Sequence, residues 1–257
     1  MKHLFLKGIT ALPFIVVFFC MSCKREALQQ QSATVDCRIT RIITKAPWAE
    51  NKSGNFTYNS FGDPVAFTPD NLGGFVKYEF RYDQDHRLTD YIGYYSFGSS
   101  NGVFEFWTKY IYDNKNRIIR DTTYHYGKYG AVPTSYTHVK EVTTYEYDKQ
   151  DRITGTVLRQ LYNGAPNGIM GDYRYVYNGQ GNLVTPGSTY DDKVSIYRTS
   201  KIWMFLNRNY SKNNSGTARG YNSKGLPSGF GSSVQQASYS ILYSLGLSDC
   251  EIVYDCK

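Results

Sequence analysis

The chain has 257 residues and a formal charge of +7, long enough to bury a core in one all-β domain of ordinary size. Its 25 tyrosines and 14 phenylalanines exclude a disordered polymer and favour pleated, half-buried strands over a helical bundle. The lysines and arginines are scattered, not gathered into the stripe that phosphate neutralisation needs, which argues against nucleic acid as a partner.

Residues 1–22 read as a signal peptide: Lys2, His3 and Lys7 precede the apolar run from Ile9 to Met21. That run falls short of the ~20 apolar residues a membrane-crossing helix requires. Ser22-Cys23 resembles the end of a bacterial lipoprotein signal, which implies that Cys23 carries lipid and becomes the new N-terminus. The membrane would then be contacted through that lipid, placing the protein in the cell envelope, on the periplasmic side or in the outer membrane. Residues 23–35, polar and glutamine-rich, read as a flexible tether and leave 36–257 as a single β domain.

Within that domain one pattern recurs: aromatic, any residue, Tyr, Asp or Asn, turn residues, Arg, aliphatic. Degenerate at Phe56 to Val65, it is clear at Phe80 to Thr89, Tyr110 to Ile119 and Tyr145 to Thr154, returns at Tyr175 to Val184, and is worn at Tyr221 to Pro227. Alternation before each turn puts Val76, Tyr78, Phe80 and Tyr82 on one face, and likewise Phe104, Phe106, Tyr110 and Tyr112. Asp or Asn starts the turn by accepting backbone N–H bonds, and Asn or Gly accepts positive φ. Longer reversals are expected from Gly98 to Gly102, Gly127 to Thr134 and Asn163 to Gly171. These residues predict an all-β antiparallel meander of repeated hairpins, roughly ten to twelve strands, forming a curled sheet or an open barrel.

The pairs Tyr82-Asp83 with Arg87-Leu88, Tyr112-Asp113 with Arg117-Ile118 and Tyr147-Asp148 with Arg152-Ile153 resemble the tyrosine-aspartate repeats of the bacterial RHS-type family. Tyr221-Asn222 through Leu226-Pro227 looks like the variant found in small bacterial lipoproteins of that type. The resemblance implies fold and secretion. It does not imply toxin delivery, because six irregular copies cannot enclose a cargo domain.

Off the pattern, Ile202, Phe205 and Leu206 at helical spacing, with Trp203 and Met204, predict one short helix near 200–208 that plugs the curled sheet. Ser238 to Tyr243 and Cys250 to Cys256 read as closing strands. Cys250 and Cys256 would lie ~20 Å apart along an extended strand, so Cys37 is expected to pair with one of them, Cys250 being favoured over Cys256.

No catalytic constellation can be assembled, and neither cofactor nor metal is expected. His86 falls in a turn, His125 and His138 fall on strands, and Ser99, Ser215 and Ser232 lie in no nucleophile-elbow pattern. Gly179-Gln180-Gly181 lacks the third glycine of a phosphate cradle. Asp83, Asp113 and Asp148 are single carboxylates better suited to capping turns than to calcium, and Asp191-Asp192 is an isolated acidic pair. Strand parity sets Trp107 opposite Phe106, and Tyr91 and Tyr95 opposite Ile92 and Tyr94, predicting an exposed aromatic patch for a ligand. The expected function is a non-enzymatic envelope lipoprotein, a binding or structural module for a protein partner. Carbohydrate binding through Trp107, Tyr91 and Tyr95 is the alternative, and a glycosidase-like enzyme the more distant one.

Overall fold

A computed structural model describes residues 36–44, 53–71, 76–96, 102–216, 218–231 and 249–257. The signal peptide, Cys23, the tether and the strand expected over Ser238 to Tyr243 lie outside the described residues. In chain order the strands are β1 (Cys37–Thr44), β2 (Gly54–Tyr58), β3 (Pro64–Pro69), β4 (Lys77–Tyr82), β5 (Leu88–Tyr95), β6 (Val103–Tyr112), β7 (Ile118–Lys128) and β8 (Thr134–Ser135). There follow β9 (Val139–Tyr147), β10 (Ile153–Tyr162), β11 (Ala165–Arg174), β12 (Tyr190–Val194), β13 (Asn213–Ser215), β14 (Ala218–Tyr221), β15 (Pro227–Phe230) and β16 (Cys250–Cys256). The described residues thus hold more strands than the sequence pattern suggests, the short ones lying in the worn copies and loops.

One antiparallel sheet carries the order β11-β10-β9-β7-β6-β5-β4-β3-β2-β1-β16-β15-β14, with β8 attached to β7 and β12-β13 forming a separate ribbon. It is a curled meander that does not close into a barrel, since β11 and β14 end the order. The first and last strands of the domain meet inside the sheet and not at its edges.

The recurring motif builds one unit of geometry. In five of the six copies the Tyr pairs with the residue six positions on, and the next residue bulges out of the ladder: Tyr58 with Pro64, Tyr82 with Leu88, Tyr112 with Ile118, Tyr147 with Ile153 and Tyr221 with Pro227. In the remaining copy Tyr177 forms an isolated bridge with Leu183, at the same spacing. The Asp113 amide donates to the Arg117 carbonyl, while its Oδ1 accepts from the Lys115 and Arg117 amides and its Oδ2 from Arg117 Nε at 2.9 Å. Asp83 and Asp148 make the same set with Arg87 and Arg152. Burial works to raise these three carboxyls, but the bonds from the following arginine outweigh it and hold each below the ordinary carboxylate range. The left-handed turn position falls to Asn116 and also to His86 and Asp151, residues that tolerate positive φ at some cost.

Neighbouring copies are linked through the same residues. Each tyrosine hydroxyl donates to a carbonyl of the copy beside it: Tyr82 to Pro64, Tyr112 to Leu88, and Tyr147 to Ile118, at 2.6–2.9 Å. Each arginine lies over the next tyrosine ring, Arg87 over Tyr112 at 5.1 Å, Arg117 over Tyr147 at 5.1 Å and Arg152 over Tyr177 at 4.2 Å.

The main core fills the face that these tyrosines share. The helix expected near 200–208 is α1 (Lys201–Leu206), preceded by a 3-10 turn over Ile196–Thr199, with Ser200 and Ser195 as N-caps. It buries Ile202, Trp203, Met204 and Phe205 against the sheet, setting Trp203 edge-on to Phe56 and Phe80 and Phe205 against Tyr110 and Tyr145.

A second, smaller core of Ile92, Phe104 and Trp107, flanked by Tyr94, Tyr124 and Tyr129, lies apart from it. Ile92 and Trp107 pair directly on that face, and a bulge brings Phe104 to them: Gly93 pairs with Phe106 but Tyr94 pairs with Phe104, leaving Glu105 unpaired and inverting strand parity there. Phe104 is thereby separated from Phe106, correcting the expectation that the two share a face with Tyr110. Gly93 is required opposite Phe106, whose ring would lie 2.4 Å from an added Cβ.

The disulfide joins Cys37 to Cys256, not to the favoured Cys250. The antiparallel pairing of β1 with β16 explains the choice, because it sets the start of one strand opposite the end of the other and puts Cys250 beside Thr44. Cys250 is a fully buried thiol whose pKa burial pushes up to about 11.

Candidate functional site

The aromatic patch expected from parity does not form. Trp107 faces away from the main core as predicted, but the segment around Tyr129 covers it completely. Arg81 lies 4.7 Å over the indole and reaches the Gly130 and Ala131 carbonyls, and the Tyr129 hydroxyl donates to Glu79. The indole N–H donates to Asp90 Oδ1 at 2.6 Å, and Lys109 pairs with the same oxygen at 2.8 Å. Burial tends to raise the Asp90 carboxyl, yet Lys109 and Trp107 hold it below its ordinary range. Tyr91 turns to the main core, stacked on Phe80 at 5.1 Å and against Phe106 at 4.9 Å. Tyr95 is half-buried and donates to Glu105 at 2.8 Å. The three residues therefore share no surface, because the register pairs Trp107 with Ile92, on the face opposite Tyr91.

Exposed aromatics gather at the other end of these strands, where the long reversals lie. Tyr126 sits at φ +41°, and beyond it the chain folds back so that β8 pairs with Gly127 and Lys128. Ser135 Oγ donates to the His125 carbonyl at 2.7 Å, and the Tyr136 amide to the Tyr126 carbonyl at 2.7 Å. Alongside, Asn163-Gly164, both at positive φ, turns β10 into β11 in two residues, and the Asn163 amide bonds to the His138 carbonyl. The expected long loop from Asn163 to Gly171 is thus a tight hairpin, corrected by an Asn-Gly signal that the sequence already displays.

Between these reversals lies a cleft of about 360 Å³ lined by Tyr124, Ser135, Thr137, His138, Lys140 and Asn163, with Pro133 and Gly164 completing its wall. Lys140 Nζ lies 5.0 Å over the Tyr124 ring, and the His138 ring stands 6.2 Å from that of Tyr162. Tyr126, Tyr136 and Tyr162, each more than half exposed, lie in the segments that build this end, with Val132 beside them. Hydroxyls, an amide, an imidazole and one ammonium line the cleft, and among the described residues no carboxylate does.

Ser99 and Ser232 lie outside the described residues, and the other candidates make contacts within the fold. His86 packs on Phe61, and His125 Nε2 lies 3.4 Å from Glu141 Oε1, where His125 holds the Glu141 carboxyl below its ordinary range. Asp191 accepts from the Lys193 and Asn214 amides and from the Tyr221 hydroxyl, so it pins the β12-β13 ribbon to the sheet. Among the described residues no group of three His, Cys, Asp or Glu is placed to hold a metal ion. Beneath α1, buried Asp121 accepts from the Tyr145 hydroxyl. Burial raises its carboxyl to about 6, against the opposing pull of Tyr145 and Arg208.

Sequence reasoning missed Tyr124, Lys140 and Asn163. The lengths of the reversals around them and the Asn163-Gly164 pair carried the only signal. No family model matches the chain, and no curated protein matches it.

Proposed function

We propose that the chain is a non-enzymatic cell-envelope lipoprotein, lipid-anchored at Cys23, whose β domain is a binding or structural module for a protein partner. The observation that carries the binding role is the polar cleft of Tyr124, His138 and Lys140 at the end of the sheet where Tyr126, Tyr136 and Tyr162 are exposed. Tyrosines that present a rigid ring and a hydroxyl on a hydrogen-bonded scaffold are suited to protein contact. The Cys37–Cys256 disulfide supports an oxidising, exported location. The six turns with common register support kinship with tyrosine-aspartate repeats. Glycosidase chemistry has no support at the cleft, since it needs two carboxyl groups there.

A photo-crosslinking amino acid at Tyr136 should capture a discrete protein in cells, and one at Lys149, exposed at the opposite turn edge, should not. Equal capture from both sites, or from neither, would sink the binding role. A glycan reading also moves to the cleft, and loss of polysaccharide retention on Tyr124→Ala would favour it over the protein reading. For the anchor, fatty-acid labelling should mark the wild type and vanish in Cys23→Ala.

A further inference from the structure

We infer that the two ends of the domain form a further copy of the repeat, split between β16 and β1, in which the Cys37–Cys256 disulfide stands where the other copies have turn residues. Oxidation of that pair is then the step that completes the sheet. The copy reads Tyr254-Asp255-Cys256, then across the bond Cys37-Arg38-Ile39, beside Tyr112-Asp113 to Arg117-Ile118 in the third copy.

Four observations place it in the series. Tyr254 pairs with Ile39, as Tyr112 pairs with Ile118, and the following residue Thr40 is bulged, as Ile119 is, so that Arg41 pairs with Val253. The Tyr254 hydroxyl donates to the Pro227 carbonyl of the copy before it at 2.7 Å. The Tyr58 hydroxyl of the copy after it donates to the Ile39 carbonyl at 2.7 Å. Finally, Arg38 lies over the Tyr58 ring at 5.7 Å, in the relation of Arg87 to Tyr112. The ladder of hydroxyls therefore runs unbroken from Pro227 through the seam to Tyr147, although the chain is interrupted there.

Every other copy holds its two strands in register through a short peptide. At the seam the only covalent link of comparable length is the disulfide, since the peptide route between the same cysteines is 219 residues long. Closure forms one S–S bond as the two thiols give up two electrons and two protons to an exchangeable disulfide in the surrounding compartment, which leaves as two thiols. Cys250, fully buried at the far end of β16, is outside this exchange. Reduction removes the turn of this one copy and leaves the peptide turns of the others intact. The seam is thus a redox-sensitive clasp. Its value as a gate rests on the exported reading above, whereas its geometry does not.

The test is amide hydrogen exchange on the purified full chain in mild detergent, oxidised and reduced, with Cys37→Ser/Cys256→Ser as the variant that cannot close. Reduction should speed exchange in Cys37–Thr44 and Cys250–Cys256 on the order of 100-fold, with little change in Val103–Tyr112 and Ile118–Lys128, and the double variant should behave as the reduced chain. Unchanged exchange in the two seam strands would overturn the clasp, as would equal loss across all strands. In the oxidised chain, Arg38→Ala should loosen Gly54–Tyr58 as Arg87→Ala loosens Val103–Tyr112. A response to Arg87→Ala alone would overturn the assignment of a repeat at the seam. None of these readings depends on where the protein resides, so they can fail while the lipoprotein reading stands.

Discussion

Along one edge of the sheet the chain reverses at Asp83, Asp113 and Asp148 through the same amide, carboxylate and guanidinium bonds. At the opposite edge Asn163-Gly164 reverses in two residues, while the path from β7 to β9 folds back through β8. The turn edge uses its polar side chains to satisfy itself, each Asp held by its own Arg and each Arg spread on a neighbouring Tyr. At the loop edge Lys140 has an aromatic face but no carboxylate among the residues lining its cleft, and three tyrosines are left exposed. A scaffold whose turns consume their own chemistry leaves contact with other molecules to the end where the loops differ.

The largest effect should come from the small core beneath the loop edge. Trp107→Ala removes the indole that Arg81 and Asp90 hold, and should cost about 3–5 kcal/mol in chemical denaturation. It should also release the segment around Tyr129 to proteolysis; a loss below 1 kcal/mol would mean that this cover is ornamental. At the turn edge, Asp113→Ala should cost about 1–3 kcal/mol through two orphaned amides and an unanchored Arg117, with Asp148→Ala alike. If the two differ widely, the copies are not interchangeable.

Acid offers a subtler probe. Asp121 is raised to about 6 from 3.8, so the folded state favours its proton. Its contribution to stability is complete below the ordinary value and is lost as pH rises through about 6. Acidification from about pH 7 to 4 should therefore raise stability by about 1–3 kcal/mol, and Asp121→Asn should flatten the rise. The turn aspartates act in the opposite sense. Held below 3.8, they contribute fully above it and lose that contribution as pH falls through their lowered values. The smallest effect belongs to the exposed loop-edge surface, where Tyr136→Ala should change stability by less than about 0.5 kcal/mol yet weaken partner capture.

The turn edge was legible in the sequence because its determinants are local: Tyr, Asp and Arg within seven residues specify a hairpin without knowing what lies beside it. The helix was legible for the same reason, its apolar spacing and Ser200 cap lying within one short stretch. Phe104 was misplaced because one unpaired residue, Glu105, moves it to the other face, and alternation alone gives no hint of a bulge. The face of Trp107 was read correctly, but its cover comes from Arg81 and the segment around Tyr129, which no local pattern announces. The disulfide was half legible: three cysteines limited the choices, but only the register of two strands far apart in the chain selects Cys256. The cleft was hidden because Tyr124, His138 and Asn163 come together from three separate strands and their reversals.

The central position of β1 has a mechanical consequence. A pull on the chain ahead of Cys37 loads a strand bonded on both sides, by β2 and by β16, with a covalent bridge at its leading end. Such a strand resists by shearing two ladders together, where an edge strand such as β11 would peel bond by bond. A domain built this way takes tension applied ahead of Cys37 at a strand held on both sides.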